Sequence, residues 1–250
     1  MALGGPVMEL RGIGISYGRA LALDGLDLDI GAREVIGVCG ATGAGKSTIA
    51  RLLAGIEQPS TGSIRTNGEY IVLRSPGSAL GRGIVVVHQD AALAPGFSVA
   101  RNMFLGIELL RGPKPLRLLD HARMETEAAQ AMARLGAGDV DVTAPVALLD
   151  AAQRQALAIA RALRWSPRIL VLDEPTAAMS EGQSRLVLDL IRRLRSEGVT
   201  VVLISSELDQ IVAVTTRVVV LRRGRKVAEV ETARLDARVL GEMVTGWVAG

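Results

Sequence analysis

The stretch Gly40-Ala-Thr-Gly-Ala-Gly-Lys-Ser47 (GATGAGKS) fits the spacing G-x-x-x-x-G-K-[ST], and its surroundings decide how it is read. Before it, Val35-Ile-Gly-Val-Cys39 is a continuous apolar run of the kind that forms a strand covered on both faces. After it, IARLLAG has helical character and stops at Gly55. A strand, a glycine loop and a helix start in that order make a phosphate-binding loop. Glycines let backbone N–H groups approach phosphate oxygens, and the helix N-terminus favours negative charge; Lys46 reaches the terminal phosphates and Ser47 offers a hydroxyl to Mg²⁺. An ordinary glycine turn would not call for lysine here. Lysine occurs otherwise only at Lys114 and Lys226, the remaining basic residues being arginine.

Outward from this loop, Ile84–Val87, Ile169–Leu172, Val199–Ile204 and Val218–Leu221 repeat the continuous apolar pattern. Helical segments separate them. Arg185 to Arg195 carries Leu186, Leu190, Ile191 and Leu194 at helical spacing and ends before Gly198. The alternation predicts an α/β domain with a mainly parallel sheet. Ile13–Tyr17 and Leu26–Ile30 alternate like antiparallel strands, and Val218 to Val230 around Arg223-Gly224 reads as a hairpin. Between about Ala91 and Trp165 helical patterns prevail: Met124 to Leu135, closed by Gly136, and Ala152, Ala156, Ile159, Ala160 and Leu163 on one face. The expected organisation is one domain over 1–250, with 1–90 and 166–250 forming the core and 91–165 an inserted α-helical subdomain.

Ile169-Leu-Val-Leu-Asp-Glu174 ends an apolar strand in two acids, as expected where Asp173 holds Mg²⁺ and Glu174 polarises an attacking water. Alone, such a strand end is weak evidence, since acids often begin a solvated loop. Downstream of a phosphate loop it gains weight. Composition narrows the class further. A net charge of +3 with no long basic block, and only 2% aromatic residues, argue against a nucleic-acid surface. No apolar run approaches the roughly 18 to 20 residues needed to cross a bilayer, and the N-terminus lacks the apolar stretch of a secretory signal, so the expected location is cytoplasmic. Cys39, the single cysteine, falls in an apolar run and is expected to be buried.

With the phosphate loop and the acidic strand end in place, the chain resembles the nucleotide-binding subunit of an ABC transporter over nearly its whole length. The resemblance implies a P-loop NTPase (RecA-like) core, an N-terminal antiparallel β subdomain and an inserted α-helical subdomain, with ATP and Mg²⁺ as ligands. It places Tyr17 under the adenine and the loop Gly40, Ala41, Thr42, Gly43, Ala44, Gly45, Lys46, Ser47 and Thr48 around the phosphates. It also makes Gln89, in Val87-His-Gln-Asp90, the glutamine that contacts Mg²⁺ and the membrane partner, beside Ser47 and Asp173 as metal ligands. Asn102-Met-Phe-Leu-Gly106, Leu119-Asp120 and Ile204-Ser-Ser-Glu-Leu208 resemble bacterial sugar-importer cassettes of the ribose, xylose and fructose type. Implied partners are transmembrane permease subunits, a second cassette and, indirectly, an extracytoplasmic sugar-binding protein. The chain would then sit peripherally on the inner face of the cell membrane.

Two departures from the family stand out. Where the family has Leu-Ser-Gly-Gly-Gln, this chain has Leu149-Asp150-Ala151-Ala152-Gln153. In the family that element begins a helix pointing at the partner cassette's ATP, so Asp150 would face a terminal phosphate. Two unit charges about 4 Å apart at an effective dielectric near 20 interact by about 4 kcal/mol. As a structural residue Asp150 is unobjectionable, since aspartate caps a helix as serine does, and Arg154 stands four residues on, placed to pair with it. The second departure is Ser205-Ser206, where the family commonly ends a strand with Ser-His; neither His88 nor His121 lies at that position.

Overall fold

A computed structural model of the chain describes residues 5–89 and 92–246. In order, the elements are β1 (Met8–Tyr17), β2 (Ala20–Ile30), β3 (Val35–Gly40), α1 (Lys46–Leu53), β4 (Thr61–Thr66), β5 (Glu69–Ile71), α2 (Pro76–Gly81) and β6 (Ile84–Val87). Then come α3 (Val99–Met103), β7 (Leu110–Arg111), β8 (Leu118–Leu119), α4 (His121–Arg134) and α5 (Ala151–Leu163). The chain continues with β9 (Ile169–Asp173), α6 (Glu181–Ser196), β10 (Thr200–Ile204), α7 (Leu208–Val214), β11 (Arg217–Arg222), β12 (Arg225–Glu231) and α8 (Ala237–Thr245). Among the described residues no helix is long and apolar enough to cross a membrane.

Two compact units emerge, Met1–Gln89 with Pro167–Pro175 and Ile191–Gly250, and Asp90–Ser166 with Thr176–Leu190. The second therefore draws in residues 176–190 as well as the middle of the chain. In the first unit a six-stranded sheet runs in the order β12-β11-β3-β10-β9-β6. Its five strands from β11 to β6 are parallel, and β12 returns antiparallel to β11 through the Arg223-Gly224 turn. Every residue of β3, β9 and β10 is buried, which is why their sequences read as unbroken apolar runs rather than alternating ones. The second sheet of the unit, order β2-β1-β4-β5, is antiparallel. Its inner residues Leu10, Ile13, Leu23, Leu26 and Leu28 join Ile49, Leu52 and Leu53 of α1 and Ile36 and Val38 of β3 in one apolar cluster. α1 is thus fixed by its buried face, and its N-terminus is fixed with it.

The second unit is helical. α3, α4 and α5 contact one another, with Phe104, Met124, Met132 and Leu157 buried and the Arg164 guanidinium 3.7 Å from the Phe104 ring centre. Asn102, fully buried, accepts from Ala94 N–H at 2.7 Å and donates to the carbonyls of Ala94, Phe97 and Ser98. It holds the loop before α3 as a backbone strut. A short hairpin, β7–β8, appears where no strand was expected, because two-residue strands leave no periodic trace in a sequence.

Candidate functional site

The phosphate loop is built by close backbone approach. Gly40 has φ 156° and Gly45 φ 107°. A Cβ on Gly45 would stand 2.7 Å from the Ala22 carbonyl oxygen, so the loop can lie against β2 only without a side chain there. Gly45 is also the cap residue of α1, and no side chain caps that helix. By contrast Ser75, Ser98, Asp120, Asp150 and Asp236 accept hydrogen bonds from the first turns of α2, α3, α4, α5 and α8. The first-turn amides of α1 are therefore left for an anion.

Lys46 is buried, and its Nζ donates to Gly40 O at 2.8 Å and Ala41 O at 3.4 Å while standing 3.8 Å from Glu174 Oε1. Ala41, Thr42, Gly43 and Ser47 are exposed, whereas Ala44 and Thr48 are buried. Asp173 ends β9 opposite Ile204 of β10 and is only 8% exposed. Its Oδ1 is buried without a hydrogen-bond partner. Burial pushes the Asp173 carboxyl above the ordinary aspartate range; neighbouring His88 and Lys46 pull it down, and Glu174 pushes it further up. Glu174 adopts φ 49°, with its N–H bonded to Ile204 O at 2.8 Å. Ser206 donates to Glu174 Oε2 twice, from its backbone N–H and from its hydroxyl, each at 3.1 Å. The serine that stands where a histidine was expected thus grips the carboxylate directly. That contact joins the ends of two neighbouring strands, so no local sequence signal could announce it.

Tyr17 closes β1, pairs with Ala20 and is 40% exposed, which leaves its ring available. Gln89 is exposed just beyond β6, whose Val87 lies opposite Leu172. Cys39 is fully buried, its thiol pushed up to about 12 by burial, with Lys46 acting against the shift. Loop, lysine, acidic pair and Ser206 all belong to the first unit. Asp150, Ala151, Ala152 and Gln153 belong to the second.

In that second unit Asp150 caps α5, as its residue type led one to expect, and does so through a capping box with Gln153 rather than by pairing with Arg154. Asp150 Oδ1 accepts from Gln153 N–H at 2.8 Å, and Asp150 N–H donates to Gln153 Oε1 at 3.1 Å. The cap geometry, three residues on, takes the carboxylate before the pairing geometry, four residues on, can use it. Asp150 therefore places its own negative charge on the N-terminal amides of α5.

Asp173 Oδ1 suits a divalent cation, a hard oxygen donor with no competing protein partner. Among the described residues no group of three or more His, Cys, Asp or Glu side chains converges as a metal cage. A single carboxylate oxygen such as Asp173 Oδ1 would fit Mg²⁺, which takes one or two carboxylates and shares the rest of its shell with phosphates and water.

A parallel sheet carrying a phosphate loop, with an added antiparallel sheet and a helical unit, defines a nucleotide-binding cassette of the P-loop class. The structure superposes on MJ1267, an ATP-binding cassette of an ABC transporter, with a TM-score of 0.84 at 22% identity, covering 99% of this chain and 100% of that one. Residues 23–177 match the ABC transporter family. Ribose import ATP-binding protein RbsA 2 of Escherichia coli O157:H7 is 39% identical over 241 residues, 96% of this chain and 47% of its own length. Fructose import ATP-binding protein FrcA of Rhizobium meliloti is 39% identical over 226 residues, 88% of this chain and 86% of its own length. The chain belongs to the ABC transporter family. It spans about half the length of the ribose-type relatives it matches.

Proposed function

We propose that the chain is an ATP-binding and ATP-hydrolysing subunit that energises import of a sugar across the cytoplasmic membrane. The observation that carries this reading is the convergence of Lys46, Asp173, Glu174 and Ser206 beside an uncapped helix N-terminus. The loop amides and Lys46 hold the phosphates, Lys46 exchanging the Gly40 and Ala41 carbonyls for phosphate oxygens. Ser47, Gln89 and Asp173 hold Mg²⁺, and Tyr17 stacks on adenine. A bound Mg²⁺ supplies positive charge against the charge developing on the transferred phosphoryl group. Glu174, held at Oε2 by Ser206, directs Oε1 toward Lys46 and orients the attacking water. The ribose and fructose importers among the relatives favour a sugar as cargo, and FrcA is matched over most of its length. The domain reading above, with 91–165 as the helical subdomain, gives the permease subunits a docking face there and a second cassette its partner. The whole would sit on the inner face of the membrane, with an extracytoplasmic sugar-binding protein as indirect partner and no nucleic acid involved.

A second reading, a regulatory cassette that binds ATP but turns it over poorly, is favoured by one observation. The Asp150 carboxylate already holds the Gln153 amide at the α5 N-terminus, the end that a partner's phosphate would approach. ATP turnover with the cognate permease, wild type against Glu174→Gln, tests the leading reading. Turnover abolished in the variant with nucleotide binding kept supports it; a wild type that binds ATP yet stays silent in the assembled transporter sinks it in favour of the second.

A further inference from the structure

The order of the parallel sheet gives the phosphate loop two sides. Asp173 and Glu174 end β9 and Ser206 follows β10, all on one side of β3; β11 lies on the other. Phosphates whose terminal member reaches Lys46 and Asp173 therefore point their remaining end toward β11. On that side the structure has a cavity of about 700 Å³ between loop residues Ala41 to Ala44, the pair Arg222-Arg223 and the C-terminal end of α8. That volume falls within the range of small-molecule sites and far exceeds the needs of a lone phosphate.

The turn that carries the arginines is tied to the loop. Gly224 N–H donates to Ala44 O at 3.0 Å, and Asp24 N–H to Gly224 O at 2.9 Å. Arg225 pairs with Asp24 at 2.5 Å. Of the basic residues on this hairpin, Arg217 pairs with Glu34 and Glu229, Arg225 with Asp24, and Lys226 with Glu229. Arg222 pairs with Arg225 through the β-ladder, but the side chains of Arg222 and Arg223 make no ion pair or hydrogen bond among the described residues. Arg223 also holds φ 50°, a left-handed conformation that asparagine or glycine would adopt at less cost. A strained turn therefore keeps two unpaired guanidinium groups on the wall of the cavity beside the loop.

We propose that Arg223, backed by Arg222, forms the nucleoside wall of this cavity, laying its guanidinium plane on the sugar, or on the base face that Tyr17 leaves open, of the nucleotide whose phosphates the loop holds. The proposal rests on the nucleotide-binding reading above and adds a residue to it. Guanidinium is planar and weakly hydrated, suited to stacking on a π face at a half-open site.

Calorimetric titration of the purified chain with ADP and, separately, with inorganic tripolyphosphate tests it, using wild type, Arg223→Asn and Arg222→Gln. Both side chains are exposed and asparagine accepts the backbone of residue 223, so the fold is retained. Arg223→Asn is expected to weaken ADP about two- to tenfold, from the worth of a cation–π contact, while changing tripolyphosphate by less than about twofold. Arg222→Gln is expected to act in the same direction and less strongly. An unchanged ADP affinity overturns the proposal, and so does an equal loss for both probes, which would make Arg223 a phosphate charge only. A wild type that binds neither probe refutes the nucleotide reading itself, a result distinct from either of those.

Discussion

Replacing Asp150 by serine separates what this residue does for folding from what it does for chemistry. Its carboxylate is fastened to Gln153 N–H at 2.8 Å at the start of α5, and Gln153 answers at 3.1 Å. Serine accepts the same amide bond, so Asp150→Ser should leave the unfolding free energy within about 0.5 kcal/mol, whereas Asp150→Ala should lose about 1 kcal/mol. The functional effect has a different size. A unit charge about 4 Å from one phosphate charge at an effective dielectric near 20 costs about 4 kcal/mol. Asp150 is exposed, so solvent screening removes much of this. If about a third survives, roughly 1.4 kcal/mol remains, a factor of about ten in rate. ATP turnover by the chain reconstituted with its cognate permease should therefore rise about tenfold in Asp150→Ser, and the gap should narrow as salt is added. Equal turnover of wild type and Asp150→Ser at low and high salt, with Asp150→Ala merely melting earlier, would refute the electrostatic argument and leave Asp150 as a helix cap.

Ser206→Ala removes one of two donors to Glu174 Oε2 and keeps the backbone N–H, so kcat should fall about three- to tenfold, the worth of one modest hydrogen bond. Steady-state kinetics should show KM nearly unchanged and Ser206→Thr restoring the rate; a loss in KM alone would contradict the positioning role. Asp173→Asn should raise the melting temperature of the ligand-free chain by about 2–4 °C at pH 7 and abolish turnover, because it removes a buried charge with an unpartnered oxygen. Folding raises the Asp173 pKa, so the ionised side chain costs stability at neutral pH. The cost is absent at pH values low enough that the acid is protonated in folded and unfolded chains alike, and the gain of the variant should vanish as pH falls toward about 3. Melting curves at a series of pH values check the sign. Cys39, with its thiol pushed up to about 12, should resist thiol reagents at pH 8 and react fully once the chain is unfolded. Rapid labelling of the native chain would contradict its burial.

The strands of the parallel sheet were legible because burial on both faces writes itself as an unbroken apolar run, and the phosphate loop because strand, glycines and helix follow in sequence. β4 and β5, Thr-Gly-Ser-Ile-Arg-Thr and Glu-Tyr-Ile, mix polar and apolar residues and give no such trace. Asp150 was partly legible. Aspartate is a helix-capping residue type and caps α5 here, while the reciprocal bond from Gln153, in place of a pairing with Arg154, emerges only in the structure. Contacts between strand ends were out of reach for another reason. Ser206 meets Glu174, and Gly224 meets Ala44, across gaps in sequence that only the sheet order closes.

The bare start of α1 has a consequence for dynamics. Five other helices carry their own side-chain caps, while α1 opens on Gly45 with no acid in its first turn. Its first turn is thus the place where an outside anion completes the fold, and ligand binding is felt there as local stability, about 2.7 kcal/mol at a hundred times the dissociation constant. Amide protons at Lys46 to Thr48 should exchange freely in the free chain and slow sharply when the loop is filled, so the loop's occupancy becomes a clock that hydrogen exchange can read.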